Sequence, residues 1–169
     1  MGVSGRRILF FALIPYAVWL VFGYRYHFLD GVNLLFHEAG HVFFGVFGRT
    51  MQFLGGTLGQ LVFPIATAVH FRREGKAFDS AVCLLWLGES LMYAGVYIAD
   101  AQRRALPLIN DGIHDWWWLL SRWGALGAAE TLGTLVHLVA SGVVVYALVL
   151  AAQALRAEAA EPAEAGGGL

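Results

Sequence analysis

Five long apolar runs, separated by short charged or glycine-containing breaks, set the pattern of this chain. The first follows Arg6 and Arg7 and extends from Ile8 to Phe22. The others cover Val32 to Phe47, Met51 to Phe71, Phe78 to Ala99 and Ala129 to Leu150. A helix that crosses a bilayer needs about 20 mostly apolar residues. The pattern therefore predicts an all-α integral membrane bundle of about five spans, forming one domain over residues 1–155. The second run is short for a full crossing, so it is expected to be tilted, re-entrant or sheltered by its neighbours.

The breaks carry their own signals. Arg49-Thr50 is expected to make a tight turn. Gly55, Gly56 and Gly59 give the third run a small-residue face that permits close helix approach, and Pro64 is expected to kink it. Arg72 to Lys76 reads as a solvated loop. A longer loop, Gln102 to Asp115, holds the turn formers Pro107 and Asn110-Asp111-Gly112. Trp116, Trp117, Trp118 and Trp123 read as an interfacial aromatic belt. The Ala/Glu/Gly-rich tail, residues 156–169, is expected to be disordered. The first run looks like a signal peptide but lacks a small-residue cleavage site, so an uncleaved first helix is expected. A cytoplasmic N-terminus would put Arg49, Arg103 and Arg104 inside, but Arg72, Arg73 and Lys76 outside.

Composition supports the membrane reading. The 169 residues are 59% hydrophobic and 14% charged, and the mean hydropathy is +0.64. Soluble domains have about 45–50% apolar and about 25% charged residues. The net charge of −1 gives no electrostatic pull toward nucleic acid. A single cysteine, Cys83, rules out a disulfide within the chain and a cysteine-based zinc cage.

The chemistry lies in polar groups set inside apolar runs, where ionisable residues are costly and usually functional. His37-Glu38-Ala39-Gly40-His41 is an HExxH motif. On a helix, positions i and i+4 share a face, so His37 and His41 can hold one metal ion. Glu38 is then placed as a general base toward a zinc-bound water. In the fourth run Glu89, Tyr93, Tyr97, Asp100 and Arg104 step by four, four, three and four. They form one stripe, with Glu89 toward the bundle interior and an Asp100–Arg104 pair near the surface. In the last run Glu130, Thr134, His137 and Ser141 form another, in which His137 is expected to bond to Glu130 or Ser141. Gln60 is a single amide among glycines. Gln60, Glu89, Tyr93 and His137 are the candidates for substrate or oxyanion contacts.

A catalytic zinc site needs three protein ligands and an open position for water. Phe44 and Phe47 stand where a metzincin would place its glycine and third histidine, so the third ligand must come from another segment. The segment Asn110 to Trp116 is the best source. His114 is the first choice, and Asp115 is its alternative or its hydrogen-bonding partner. Asp111 comes next, with Asp100 nearby.

HExxH in an early hydrophobic run resembles the intramembrane zinc metalloproteases of the site-two protease class. Leu106-Pro107-Leu108-Ile109-Asn110-Asp111-Gly112 is similar to that family's second motif, and this resemblance implies Asp111 as third ligand. The chain departs from the family in having Asn110 where leucine is usual, and in having no PDZ-like insertion. A closer resemblance is to a group of small bacterial membrane proteins. These combine HEAGH, a Gly55-to-Gln60 type segment, Val96-Tyr-Ile-Ala-Asp-Ala101 and His114-Asp115-Trp116, and cover about two thirds of the chain. That resemblance implies His114 and Asp115, with Asp100 nearby, and a multi-pass place in the bacterial inner membrane.

The expectation is thus an intramembrane zinc-dependent hydrolase of metallopeptidase type, with one Zn2+ per chain. Its partners would be the lipid bilayer and a membrane-embedded peptide or protein substrate. Alternatives are a non-catalytic scaffold, a metal transporter or a metal-dependent lipid-modifying enzyme. Di-iron lipid enzymes, however, need several histidine boxes, and only one is present. Zinc is inferred from ligand type, and imidazole also suits iron, copper and nickel.

Overall fold

A computed structural model describes residues 2–108 and 112–160. Among these there are six α-helices and no strand. They are α1 (Val3–Gly23), α2 (Phe28–Gly45), α3 (Arg49–Arg73), α4 (Ala77–Asp100), α5 (Asp115–Arg122) and α6 (Ala129–Ala160). A single 3-10 turn, Leu126–Ala128, precedes α6. The fold is the all-α bundle that the apolar runs require.

Four helices are long and apolar enough to cross a membrane: α1, α3, α4 and the Leu126–Ala160 segment. The fifth expected span, α2, is not among them. Its 18 residues include Asp30, Asn33, His37, Glu38 and His41, which lower its hydropathy. The inner face of α2 is polar, with Asp30, Asn33 and His37 buried. Its outer face is apolar, with Leu35 and Val42 more than 70% exposed. Phe11 and Phe22 of α1 and Leu138 and Val139 of α6 are also exposed. Apolar groups directed outward around polar groups directed inward suit a lipid surround and not water.

Several boundaries differ from the sequence reading. Arg49 and Thr50 open α3 rather than forming a turn. The reversal falls just before them, where Gly48 adopts a φ of 101° that favours glycine. α6 runs through Arg156 to Ala160, so the first five residues of the expected disordered tail are helical. Residues 161–169 of that tail, and Asp111 with its two neighbours 109–110, lie outside the described residues.

Helix direction is the larger surprise. Arg6 of α1 pairs with Asp79 near the start of α4 at 3.2 Å and with Glu158 near the end of α6. At the other end of α1, the Val21 carbonyl meets His137 Nε2 of α6 at 3.0 Å. α1 therefore runs parallel to α4 and antiparallel to α6. α2 and α3 form an antiparallel hairpin, as do α3 and α4. Hence α1 and α2 point the same way, although only Tyr24 to His27 join them. Those four residues are non-helical and carry the chain back along the bundle. α2 consequently begins beside Glu89, near the midpoint of α4, rather than at the bundle end. This also places Arg72, Arg73 and Lys76 at the same end as Arg6, opposite to the sequence expectation.

Small residues set the closest contacts. A Cβ built at Gly40 of α2 would meet the Gly55 carbonyl of α3 and come within 3.0 Å of the Gly59 Cα. Along the α4–α6 contact, a Cβ at Gly88 would reach Val144 Cγ2 at 2.6 Å, and Gly95 faces Gly133. Leu20, Leu85, Met92 and Val144 fill the core between α1, α4 and α6. The α2–α3 approach brings the HExxH backbone against the glycine face of α3.

Candidate metal centre

The heptad-like spacing of Asp30, Asn33, His37 and His41 keeps all four on the face of α2 that looks into the bundle. His37 is 5% exposed. Its Nδ1 lies 3.1 Å from Gln60 Oε1, and Gln60 Nε2 donates to the Ser90 carbonyl at 3.0 Å. Because the amide N–H group is committed to Ser90, Gln60 Oε1 must accept. His37 Nδ1 therefore carries the proton, and Nε2 of the neutral ring carries the lone pair. His41 repeats the logic with backbone: its Nδ1 donates to the Gln52 carbonyl at 2.7 Å. Its Nε2 is likewise left as the lone-pair nitrogen.

Both Nε2 atoms point to one carboxylate oxygen. Asp115 Oδ2 lies 2.9 Å from His37 Nε2 and 3.2 Å from His41 Nε2. Two lone-pair nitrogens and a carboxylate oxygen thus converge with no donor among them. Only cations, protons or a metal, can hold such a set together. For metal–ligand bonds of about 2.0 Å and tetrahedral angles, ligand atoms stand about 3.3 Å apart. The observed separations are close to that, so the residues fit a tetrahedral ion. Glu38 completes the cluster, with ligand atoms of His37, Glu38 and His41 all within 4.8 Å of one another.

The surroundings hold these groups in place. The Tyr97 hydroxyl accepts from the Asp115 backbone N–H at 3.1 Å and contacts Oδ2 at 3.4 Å. Trp116 Nε1 donates to Thr57 at 3.0 Å and docks α5 on α3. A Cβ at Gly56 would come within 2.7 Å of His41 Cε1 and also strike the His37 ring, so glycine is what leaves room for both imidazoles. Without a metal the set holds only if the histidines carry protons at Nε2, and hydrogen bonds of that kind outweigh burial and hold the Asp115 carboxyl below the ordinary carboxylate value.

His114, the first choice from sequence for third ligand, is elsewhere. It is the N-cap of α5, and its Nδ1 accepts from the Trp117 backbone N–H at 3.2 Å. Its ring stacks on Tyr97 with centroids 4.1 Å apart, and Nε2 faces Asp100 Oδ2 at 3.5 Å. Burial keeps this imidazole below its ordinary pKa, although Asp100 and Asp115 pull the other way. Asp115, the alternative read from the sequence, is the residue that meets the two histidines. Asp100 caps the backbone N–H groups of Ala105 and Leu106, each at 3.0 Å, and makes no pair with Arg104. Arg104 instead lies over the Trp117 ring at 5.0 Å.

Gln60 orients His37 from within the bundle and does not face the open cleft. Glu89 is farther along α4, bonded to Asn33. His137 sits at the α1–α6 contact, where its ring is held by the Val21 carbonyl rather than by Glu130 or Ser141, and Ser141 bonds only its backbone carbonyl. Tyr93 does border the site. It lines a cleft of about 700 Å³ together with Tyr26, Leu34, Glu38, Ile113 and Asp115. Tyr97 and Gly56 were missed as site residues, although each belonged to a pattern already visible, the α4 stripe and the α3 glycine face.

The chain matches no family model, no curated protein and no solved structure.

Proposed function

We propose that the chain is a membrane-embedded zinc-dependent hydrolase, of peptidase type, whose ion is held by His37, His41 and Asp115. Its setting would be a bacterial inner membrane. The observation that carries this is the convergence of two histidine Nε2 lone pairs on Asp115 Oδ2 beside Glu38. A bound divalent cation would polarise a scissile carbonyl and acidify water.

The chain's own groups supply the rest. Glu38 lies on the cleft side of the histidine pair, so its carboxylate can take a proton from water and return it to a leaving amine. Tyr93 brings a phenolic O–H to the same cleft, where a developing oxyanion needs a donor. Leu34, Leu106 and Ile113 give the cleft apolar walls suited to an apolar peptide segment. Gln60 and the Gln52 carbonyl fix the tautomers that present both Nε2 lone pairs.

The test is metal content of detergent-purified protein by elemental mass spectrometry, paired with cleavage of membrane-embedded peptides. Asp115→Asn and His41→Ala are each expected to lower bound zinc by one equivalent. Glu38→Gln should keep the wild-type metal and lose at least 1000-fold in turnover, on the order of what loss of a general base costs. Cleavage that survives Glu38→Gln, or a wild-type zinc count in both ligand variants, would sink the reading.

A further inference from the structure

Halfway along the bundle lies a second polar cluster that the hydrolase chemistry does not use. Because α2 starts inside the bundle, its first turn brings His27 and Asp30 against Glu89 of α4. Asp30 and Glu89 are both 0% exposed. The ligand atoms of His27, Asp30 and Glu89 lie within 4.8 Å of one another.

Glu89 is only half satisfied. Its Oε2 accepts from Asn33 Nδ2 at 2.8 Å, and Asn33 is held in turn by Trp86 Nε1 at 2.8 Å. Its Oε1 is buried with no hydrogen-bond partner. That atom points toward His27 Nε2, 3.9 Å away, too far for a hydrogen bond. Asp30, by contrast, is well bonded, by the His27 backbone N–H at 2.7 Å and by the Tyr24 hydroxyl, with His27 Nδ1 also 2.7 Å from Oδ2.

The charge balance is also incomplete. Among the described residues, His27 is the only basic group paired with either carboxylate. A protonated His27 would offset one negative charge and leave the other buried. An unpaired buried carboxylate is strongly unfavourable. A divalent cation beside neutral His27 would bring the cluster to zero net charge and engage the free Oε1.

We propose that His27, Asp30 and Glu89 form a second cation site, separate from the HExxH centre, that takes a divalent first-row transition metal. One imidazole and two carboxylates suit zinc, manganese or ferrous iron. The nitrogen ligand disfavours magnesium and calcium, and the absence of thiolate from the set disfavours Cu(I). The Tyr16 hydroxyl, 2.7 Å from His27 Nε2, is the neighbour that must give way or join the ion. Asp30 and His37 are seven residues apart on α2, about 10 Å along the axis, so the two sites can fill independently. The His27 side chain is 22% exposed and provides the approach.

The experiment is a zinc titration of the full-length protein in detergent, with stoichiometry read by elemental mass spectrometry after desalting. Wild type is expected to hold two equivalents. Glu89→Gln, nearly isosteric, and His27→Ala should each hold one, as should Asp115→Asn. The double variant Glu89→Gln/Asp115→Asn should hold none. Retention of the wild-type count in both Glu89→Gln and His27→Ala overturns the second site. One equivalent that vanishes with Asp115→Asn does the same, and makes Glu89 a carboxylic acid that carries its own proton. One equivalent that survives Asp115→Asn but vanishes with Glu89→Gln would keep the second site and sink the hydrolase reading. If the Glu89 and His27 variants fail to fold, Co2+ titration of wild type and Asp115→Asn decides by absorbance. Endpoints of two and one support the site, and endpoints of one and zero overturn it.

Discussion

His114 and Asp115 are neighbours in sequence and both touch Tyr97, yet their side chains have different partners. His114 ends the loop and turns back to cap the Trp117 amide, whereas Asp115 is the first helical residue and projects onto His37 and His41. Which of the two meets the histidines depends on where α5 starts, a one-residue matter that composition does not fix. The capping preference itself was a usable clue, since an acid in the first turn follows the N-cap. The pair His37 and His41, with Glu38, was legible because i, i+4 spacing is local and survives any packing. Tyr97 was not, because its role depends on how α4 meets α5. These assignments predict that His114→Asn, which retains a capping acceptor, leaves zinc content at the wild-type count. Equilibrium dialysis against 65Zn would measure it, and the loss of one equivalent would make His114 a ligand after all.

The helices themselves were legible from apolar run length, and the α3 glycine face correctly announced a close approach. What the runs could not convey was direction. Four non-helical residues, Tyr24 to His27, make α1 and α2 parallel, and nothing in their local preferences demands it. The cause is tertiary: Tyr16, Tyr24, Asn33 and Glu89 give the returning chain and the buried α2 N-terminus their hydrogen-bond partners. Non-helical backbone within a bundle persists only where protein groups satisfy it. The α2–α3 crossing should be correspondingly intolerant. Gly40→Val would drive a branched side chain into the Gly55 carbonyl, and the helices would have to separate. The expected cost is about 1–3 kcal/mol, read as a lower thermal midpoint in detergent. Zinc binding should weaken in the same variant, because Gly40 lies between His37 and His41, the histidines of the proposed site. A midpoint equal to wild type would mean that the crossing is looser than its geometry.

Taken together, the molecule is an apolar shell around a polar file that runs from His27, Asp30 and Glu89 through Asn33 to His37, His41 and Asp115. The shell was readable from composition. The file was not, because it is assembled from α2, α4 and α5, which are distant in sequence. The ligands proposed for the HExxH centre come from α2 and α5, so an ion there would tie the hairpin to α5. Any ligand that binds only the folded state adds RT ln(1 + [L]/Kd), about 4 kcal/mol at a thousand-fold excess over Kd. That stabilisation should concentrate on the element with the least other support. α5 has eight residues and is held by Trp116–Thr57, by Leu119 and Leu120, and by Asp115. Chelation should therefore raise amide hydrogen exchange across Asp115–Arg122 far more than across α4 or α6. Asp115→Asn should show the raised exchange before chelator is added, and little further change at α5 afterwards. A second ion at Glu89 would not mimic this, since its ligands lie on α2, its N-terminal connection and α4. Equal exchange at α5 with and without chelator in wild type would mean that no metal ties this helix to the bundle.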